Sequence, residues 1–310
     1  MTTHAQTVGN IATQVQTVEQ PAPRGGGGRI LNGFSHTFLV IWGLMVTVPL
    51  LWSVVQSFKT DSEIIHDPLG LPARWQLGAF ARAWSKGHIG EFFLNTIVVM
   101  TFSVSLTMLF GSMAAYVLAR YPFRGNRVIY WTFVAGLTVP IYMGILPLYL
   151  LVNDFAKFIG LETVIGVDTR GGLILVYIAY SMPFTIFFLH AFFRTLPSTI
   201  AEAAAVDGAG HVRLFFQVMM PMAKPGLVSI AIFNIIGQWN QFLLPVVLIK
   251  DDKGPKMLTQ GLLELATTAR YETDFARLFA GMTLAMLPIL AVYLVFHRQV
   301  QSGLTGATTK

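Results

Sequence analysis

The chain has 310 residues, of which 54% are hydrophobic and only 12% charged, and its mean hydropathy is +0.61. Charged residues make up about a quarter of a soluble globular domain, so these figures exclude that class and point to a polytopic membrane protein. The lack of Cys excludes disulfides, catalytic thiols and Cys-ligated metal, and the scattered net charge of +6 reads as loop charge facing anionic lipid rather than as a nucleic-acid surface.

Residues 1–33 are polar, rich in Thr, Gln and Pro, and end in a glycine run between Arg24 and Arg29. They read as a flexible cytoplasmic tail. The apolar run that follows is too long for a signal peptide and has no small-residue cleavage site. Six apolar runs then cover residues 34–58, 92–118, 128–152, 172–193, 226–249 and 278–296, each near the roughly 20 residues a transmembrane helix needs. Five carry an internal proline: Pro49, Pro140 with Pro147, Pro183, Pro245 and Pro288. Spans tolerate such prolines when neighbouring helices satisfy the freed backbone groups, so kinked helices are expected. The predicted fold class is an all-α membrane protein of six spans. Its membrane domain covers 34–297, and residues 298–310 form a cytoplasmic C-terminal tail.

Lys and Arg divide almost evenly between the two sets of loops. On charge alone only the tight Arg120, Arg124, Arg127 loop leans toward both termini inside. Between the fourth and fifth runs lies a polar stretch, 198–221. A helix-forming segment (Ala201 to Val206) stops at Gly208, which tolerates the left-handed conformation that ends helices. Thr199 and Glu202 have capping-box spacing. A second short helix, about 212–219, runs into Pro221 and Pro225. This is a helix-turn-helix at a membrane surface.

Glu202-Ala203-Ala204, Asp207-Gly208-Ala209 and Pro221 resemble the coupling loop of permease subunits in bacterial ABC importers. The likeness runs from about Leu50 to the C-terminus. It includes Ser57-Phe58-Lys59, Asn95-Thr96, Ala114-Ala115-Tyr116, Pro183-Phe184 and Trp239-Asn240, and it is closest to the six-span carbohydrate permeases of maltose type. The resemblance implies that the chain lies in the bacterial cytoplasmic membrane with both termini inside, and that its partners are a second permease subunit, two copies of a cytoplasmic ATPase and an extracytoplasmic sugar-binding protein. It also implies that Glu202, Ala203, Ala204, Asp207, Gly208 and Pro221 dock on the ATPase. Gly303, Leu304 and Thr305 resemble the family's closing segment, which contacts the ATPase, although Gly306 directly after Thr305 departs from that pattern.

No phosphate-binding loop, His-Glu-x-x-His pair or Gly-x-Ser-x-Gly elbow occurs. The chain is thus predicted to be a translocation subunit rather than an enzyme, binding no cofactor or metal, with ATP and Mg on the partner. The runs contain almost no ionisable residues, His190 being the main exception, which argues against proton or ion coupling. Their polar content is neutral. Asn234, Gln238 and Gln241 fall at i, i+4 and i+7 on one helix face beside Trp239 and Asn240. That face suits a sugar path, with amides for hydroxyls and an indole for the ring. It equally suits interhelical bonding, at about 0.6 kcal/mol per bond. Two alternatives remain open: an ABC permease for another polar solute, such as a phosphorylated polyol or a polyamine, and a carrier or channel independent of any ATPase.

Overall fold

The computed structural model describes residues 26–251 and 254–305. Every regular element among them is a helix, as required where lipid offers backbone groups no partner. The chain divides into two units, Met1–Trp52 and Ser53–Lys310. Most of α1 (Gly26–Gln56) belongs to the first unit, and the helix runs unbroken through Pro49. It takes in residues 26–33, which the sequence assigned to the tail, because a nucleated helix extends at little cost per added residue. Residues 1–25 lie outside the described residues.

The second unit continues with α2 (Asp61–His66), α3 (Gly78–Ser85), α4 (Ile89–Arg120) and α5 (Asn126–Thr138). A 3-10 turn at Ile141–Met143 leads to α6 (Ile145–Phe158), α7 (Glu162–Ile165) and α8 (Arg170–Thr195). Then come α9 (Ser198–Val206), α10 (His211–Met222), α11 (Lys224–Trp239), α12 (Leu243–Leu248), α13 (Leu258–Glu272) and α14 (Phe275–Thr305).

Among the described residues, α1, α4, α8 and α14 are each long and apolar enough to cross a bilayer alone. The expected third and fifth spans are broken, which corrects the reading of them as merely kinked. Val139 is extended (ψ 116°) ahead of Pro140, because the proline ring pushes the preceding residue out of the helical region. In the fifth run the interruption falls at Asn240–Phe242, while Pro245 sits harmlessly in the first turn of α12. The helix of the last run also continues past 297 to Thr305, through part of the predicted tail.

At the centre α4 lies against α8. A Cβ on Gly111 would meet the Thr185 methyl at 2.7 Å, so only glycine allows this approach. Ala115, Ile186, Leu189 and Phe193 are fully buried there. The helix α11 packs on both α4 and α8, and α14 packs on α11, α13 and α3.

Hydrogen bonds sort the connecting loops into two sets. At one end Asp168 accepts from the Asp251 N–H at 2.9 Å, and Arg82 pairs with Asp274 at 3.1 Å. There too the Ala276 N–H reaches Asp61 at 2.9 Å, and Asn95 bridges Arg170 to the Lys256 carbonyl. At the other end Arg120 donates to the Leu196 carbonyl, and Tyr121 hydrogen-bonds His211 at 3.1 Å.

Candidate functional site

The helix-turn-helix is built much as its sequence suggests, with one exception at its start. Pro197 is the N-cap of α9, with no side-chain cap, and Thr199 lies inside the first turn, so the expected Thr199–Glu202 capping box does not form. An N-cap needs an extended backbone, and Pro197 (ψ 133°) already supplies it. The C-terminal end follows expectation: Gly208 has φ +80° and the Ala209 N–H closes on the Ala204 carbonyl at 2.9 Å. Gly210 then opens α10, whose residues Leu214–Met219 adopt the wider π form.

Two faces result. Leu214, Phe215 and Met219 are buried against Ala115, Tyr116 and Phe193, and Ala201 and Ala204 pack on that cluster. Ala204 therefore faces inward, whereas Ala203 faces out, so the two alanines do not share one surface. The outer face carries Glu202, Ala203, Asp207 and Gly208 with Val206, 88% exposed, beside them. Glu202 has no hydrogen-bond or ion-pair partner among the described residues. Pro221, also exposed, lies in the last turn of α10, after which α11 departs at 78°.

Sequence reasoning missed what holds this unit in place. Tyr116 stands edge-on to Phe193 and tilted against Phe215, its hydroxyl meets that of Tyr121 at 3.3 Å, and Tyr121 in turn holds His211. His211 is thus part of the anchor. The only sequence signal was the closeness of Tyr116, Arg120 and Tyr121 to the end of an apolar run.

The second candidate region is an open cavity of ≈ 1030 Å³ between the broken α5–α6 segment, α8 and α11. The break at Val139–Pro140 contributes directly, since both residues line it. Of the five residues predicted for a substrate path, Asn234, Gln238 and Gln241 lie on its wall. Trp239 and Asn240 do not. The Trp239 ring is 5% exposed, stands edge-on to Phe93 at 5.5 Å, and donates its indole N–H to the Ala285 carbonyl at 3.1 Å. The Asn240 amide folds back on the Ile236 carbonyl at 2.8 Å.

Asn234 and Gln238 are themselves 5% and 4% exposed. Asn234 donates to Thr185 at 2.9 Å, while Gln238 donates to Ser181 at 3.1 Å and accepts from Ser103. Sequence reasoning missed Tyr142 and Tyr180, which also line the cavity. His190 stands apart from it, its ring stacked on Tyr130 at 4.1 Å. No cluster of His, Asp or Glu among the described residues is arranged to hold a metal. Gly303, Leu304 and Thr305 form the last backbone turn of α14, and residues 306–310 lie outside the described residues.

Residues 107–306 match the family described as binding-protein-dependent transport system inner membrane component. The chain belongs to this family. It is accordingly a permease subunit of an ABC importer in the cytoplasmic membrane, not an enzyme. It is 45% identical over 280 residues to the diacetylchitobiose uptake system permease protein NgcG of Streptomyces coelicolor, covering 90% of this chain and 89% of that one. It is 27% identical over 280 residues to the multiple sugar-binding transport system permease protein MsmG of Streptococcus mutans, covering 89% and 96%. The fold is shared with a chain in the crystal structure of a bacterial ABC transporter involved in the import of the acidic polysaccharide alginate. That match has a TM-score of 0.75 at 22% identity and covers 90% of this permease and 99% of the other chain.

Proposed function

We propose that this permease carries a neutral sugar or short oligosaccharide along the cavity beside α11. The carrying observation is the cavity wall, which includes no Asp, Glu, Lys, Arg or His among the described residues. A phosphorylated polyol or a polyamine would shed its water there with no counter-charge to replace it, a cost of several kcal/mol. Sugar hydroxyls need only neutral partners, and Tyr142, Tyr180 and Gln241 offer them. The two phenol rings also present flat apolar faces to a pyranose ring. The relative that shares 45% identity is named for diacetylchitobiose, a neutral disaccharide, which makes that sugar the first to test.

In this reading the chain makes six passes, with α5–α6 as the third, α11–α12 as the fifth, and both termini cytoplasmic. The loop hydrogen bonds support it, because they join alternate connections at opposite ends. A second permease subunit, two copies of an ATPase carrying ATP and Mg, and an extracytoplasmic binding protein complete the assembly. The exposed face of Glu202, Ala203, Asp207 and Gly208 docks on the ATPase, and Pro221 sets the departure of α11. The end of α14, with Gly303, Leu304 and Thr305, approaches the same partner.

The test is purification of the tagged chain with its co-purifying subunits, followed by reconstitution and ATP-driven uptake assays. Diacetylchitobiose is expected to be taken up in preference to glycerol phosphate or putrescine, and the opposite preference overturns the neutral-sugar reading. In the same assay Glu202→Lys should lower uptake by at least about tenfold while ATP hydrolysis continues. Undiminished uptake would remove Glu202 from the coupling role.

A further inference from the structure

Three helices meet beside the cavity, and each presents two polar side chains one turn apart. They are Ser103 and Thr107 on α4, Ser181 and Thr185 on α8, and Asn234 and Gln238 on α11. All six are at least 94% buried. Because α11 runs antiparallel to the other two, Gln238 meets Ser103 and Ser181 in one layer, and Asn234 meets Thr185 in the next. The sixth member is the exception. Thr107 is 0% exposed and its hydroxyl has no hydrogen-bond partner. A buried hydroxyl left unpaired costs about 1–3 kcal/mol, so its presence needs a reason.

The surroundings determine which motion is open to these layers. The helix α11 is bounded by the 78° bend at its start and by the Asn240–Phe242 break at its end, so it can translate as a rigid rod. It is fastened to α14 at both ends, by Ser229 on the Gln299 carbonyl (2.8 Å) and by Trp239 on the Ala285 carbonyl (3.1 Å). By contrast, the bonds to α4 and α8 are between side chains of similar chemistry repeated every turn, and such bonds can exchange partners.

We infer that the six residues form a hydrogen-bond ladder that sets two registers of α11 against the α4–α8 pair, the vacant rung being Thr107. A shift of α11 by one turn, about 5.4 Å, toward its own N-terminus carries Gln238 from Ser103 and Ser181 to Thr107 and Thr185. One-turn ratchets of this kind are an established way for packed helices to hold two discrete states. Ser103 stays satisfied after the shift, since it already donates to the Val99 carbonyl at 2.7 Å. The shift also has a source. With α10 joined to the start of α11 at 78°, movement of the helix-turn-helix along the α11 axis and away from α11 draws that rod endwise. In this account Asn234, Gln238 and Thr107 are positioning residues.

The chain has no native Cys, so paired cysteines can report the register within the assembled importer. Ser103→Cys with Gln238→Cys should cross-link in one nucleotide condition, and Thr107→Cys with Gln238→Cys in the other. The conditions compared are nucleotide-free and ATP with vanadate, with single-Cys variants as controls. Failure of the Thr107 pair in both conditions, or equal cross-linking of the Ser103 pair in both, overturns the ladder. A second variant avoids disturbing Gln238. Thr107→Val removes a hydroxyl that is unpaired in this register, so thermal stability should hold, yet transport should fall about fivefold, the factor carried by one net hydrogen bond. Thr107→Ser should restore transport. If Thr107→Val transports normally, the vacant rung has no role.

Discussion

Trp239 shows how far spacing along a helix can and cannot carry an argument. Positions 234 and 238 share one face of α11 and, with Gln241 in the break beyond it, reach the cavity, but position 239 lies a further 100° round. There its ring fills the core between Phe93 and α14, with the indole N–H on Ala285. An indole among amides looks like a sugar platform until the opposite wall is known. Replacing it should therefore alter stability rather than selectivity. Trp239→Phe keeps the packing and loses one hydrogen bond, worth about 1 kcal/mol. A lower melting temperature with an unchanged ranking of sugars is expected, and a reordered ranking in competition uptake assays would place the ring in the path after all.

Elements depend on features a linear pattern hides. Pro140 and Pro183 look alike in the sequence, yet one ends a helix and the other is absorbed within α8. Charged residues that clasp α3 to the start of α14 were likewise invisible, because Arg82 and Asp274 are 192 residues apart. Burial opposes ionisation of Asp274, but hydrogen bonds from Arg82 and the Arg277 N–H outweigh it and hold the carboxyl below its ordinary 3.8. A depressed carboxylate contributes stability that is complete above the ordinary value and lost as pH falls through the lowered one. Melting of the solubilised complex should thus show little dependence on this group at neutral pH and a loss below about pH 4. Asp274→Asn should cost about 1 kcal/mol at neutral pH, the ceiling for a partly exposed pair. It should also narrow the gap between neutral and acid melting temperatures.

For the whole molecule, the apolar runs, the turn at Gly208 and the neutral interior were legible because each follows from local chemistry. Composition alone placed the chain in a membrane, and the stretch from Glu202 to Pro221 pointed to its family. The partners of buried side chains were not legible. Neither were the inward turn of Ala204, the clamp of Tyr116, Tyr121 and His211, or the vacancy at Thr107. All of these depend on which helices meet, and residues far apart along the chain decide that.

The uncharged character of the region beside α11 has an electrical consequence. A potential of 100 mV acts on one moving elementary charge with about 2.3 kcal/mol, enough to change a rate nearly fiftyfold. Here the exchanging groups are hydroxyls and amides, the wall beside them carries no ion, and the proposed cargo is neutral. Moving them transfers no charge through the field. With ATP held constant, uptake into vesicles should proceed at the same rate whether a potassium diffusion potential of about 100 mV is imposed or collapsed. The cell could then let its membrane potential rise and fall without altering how fast this importer feeds it.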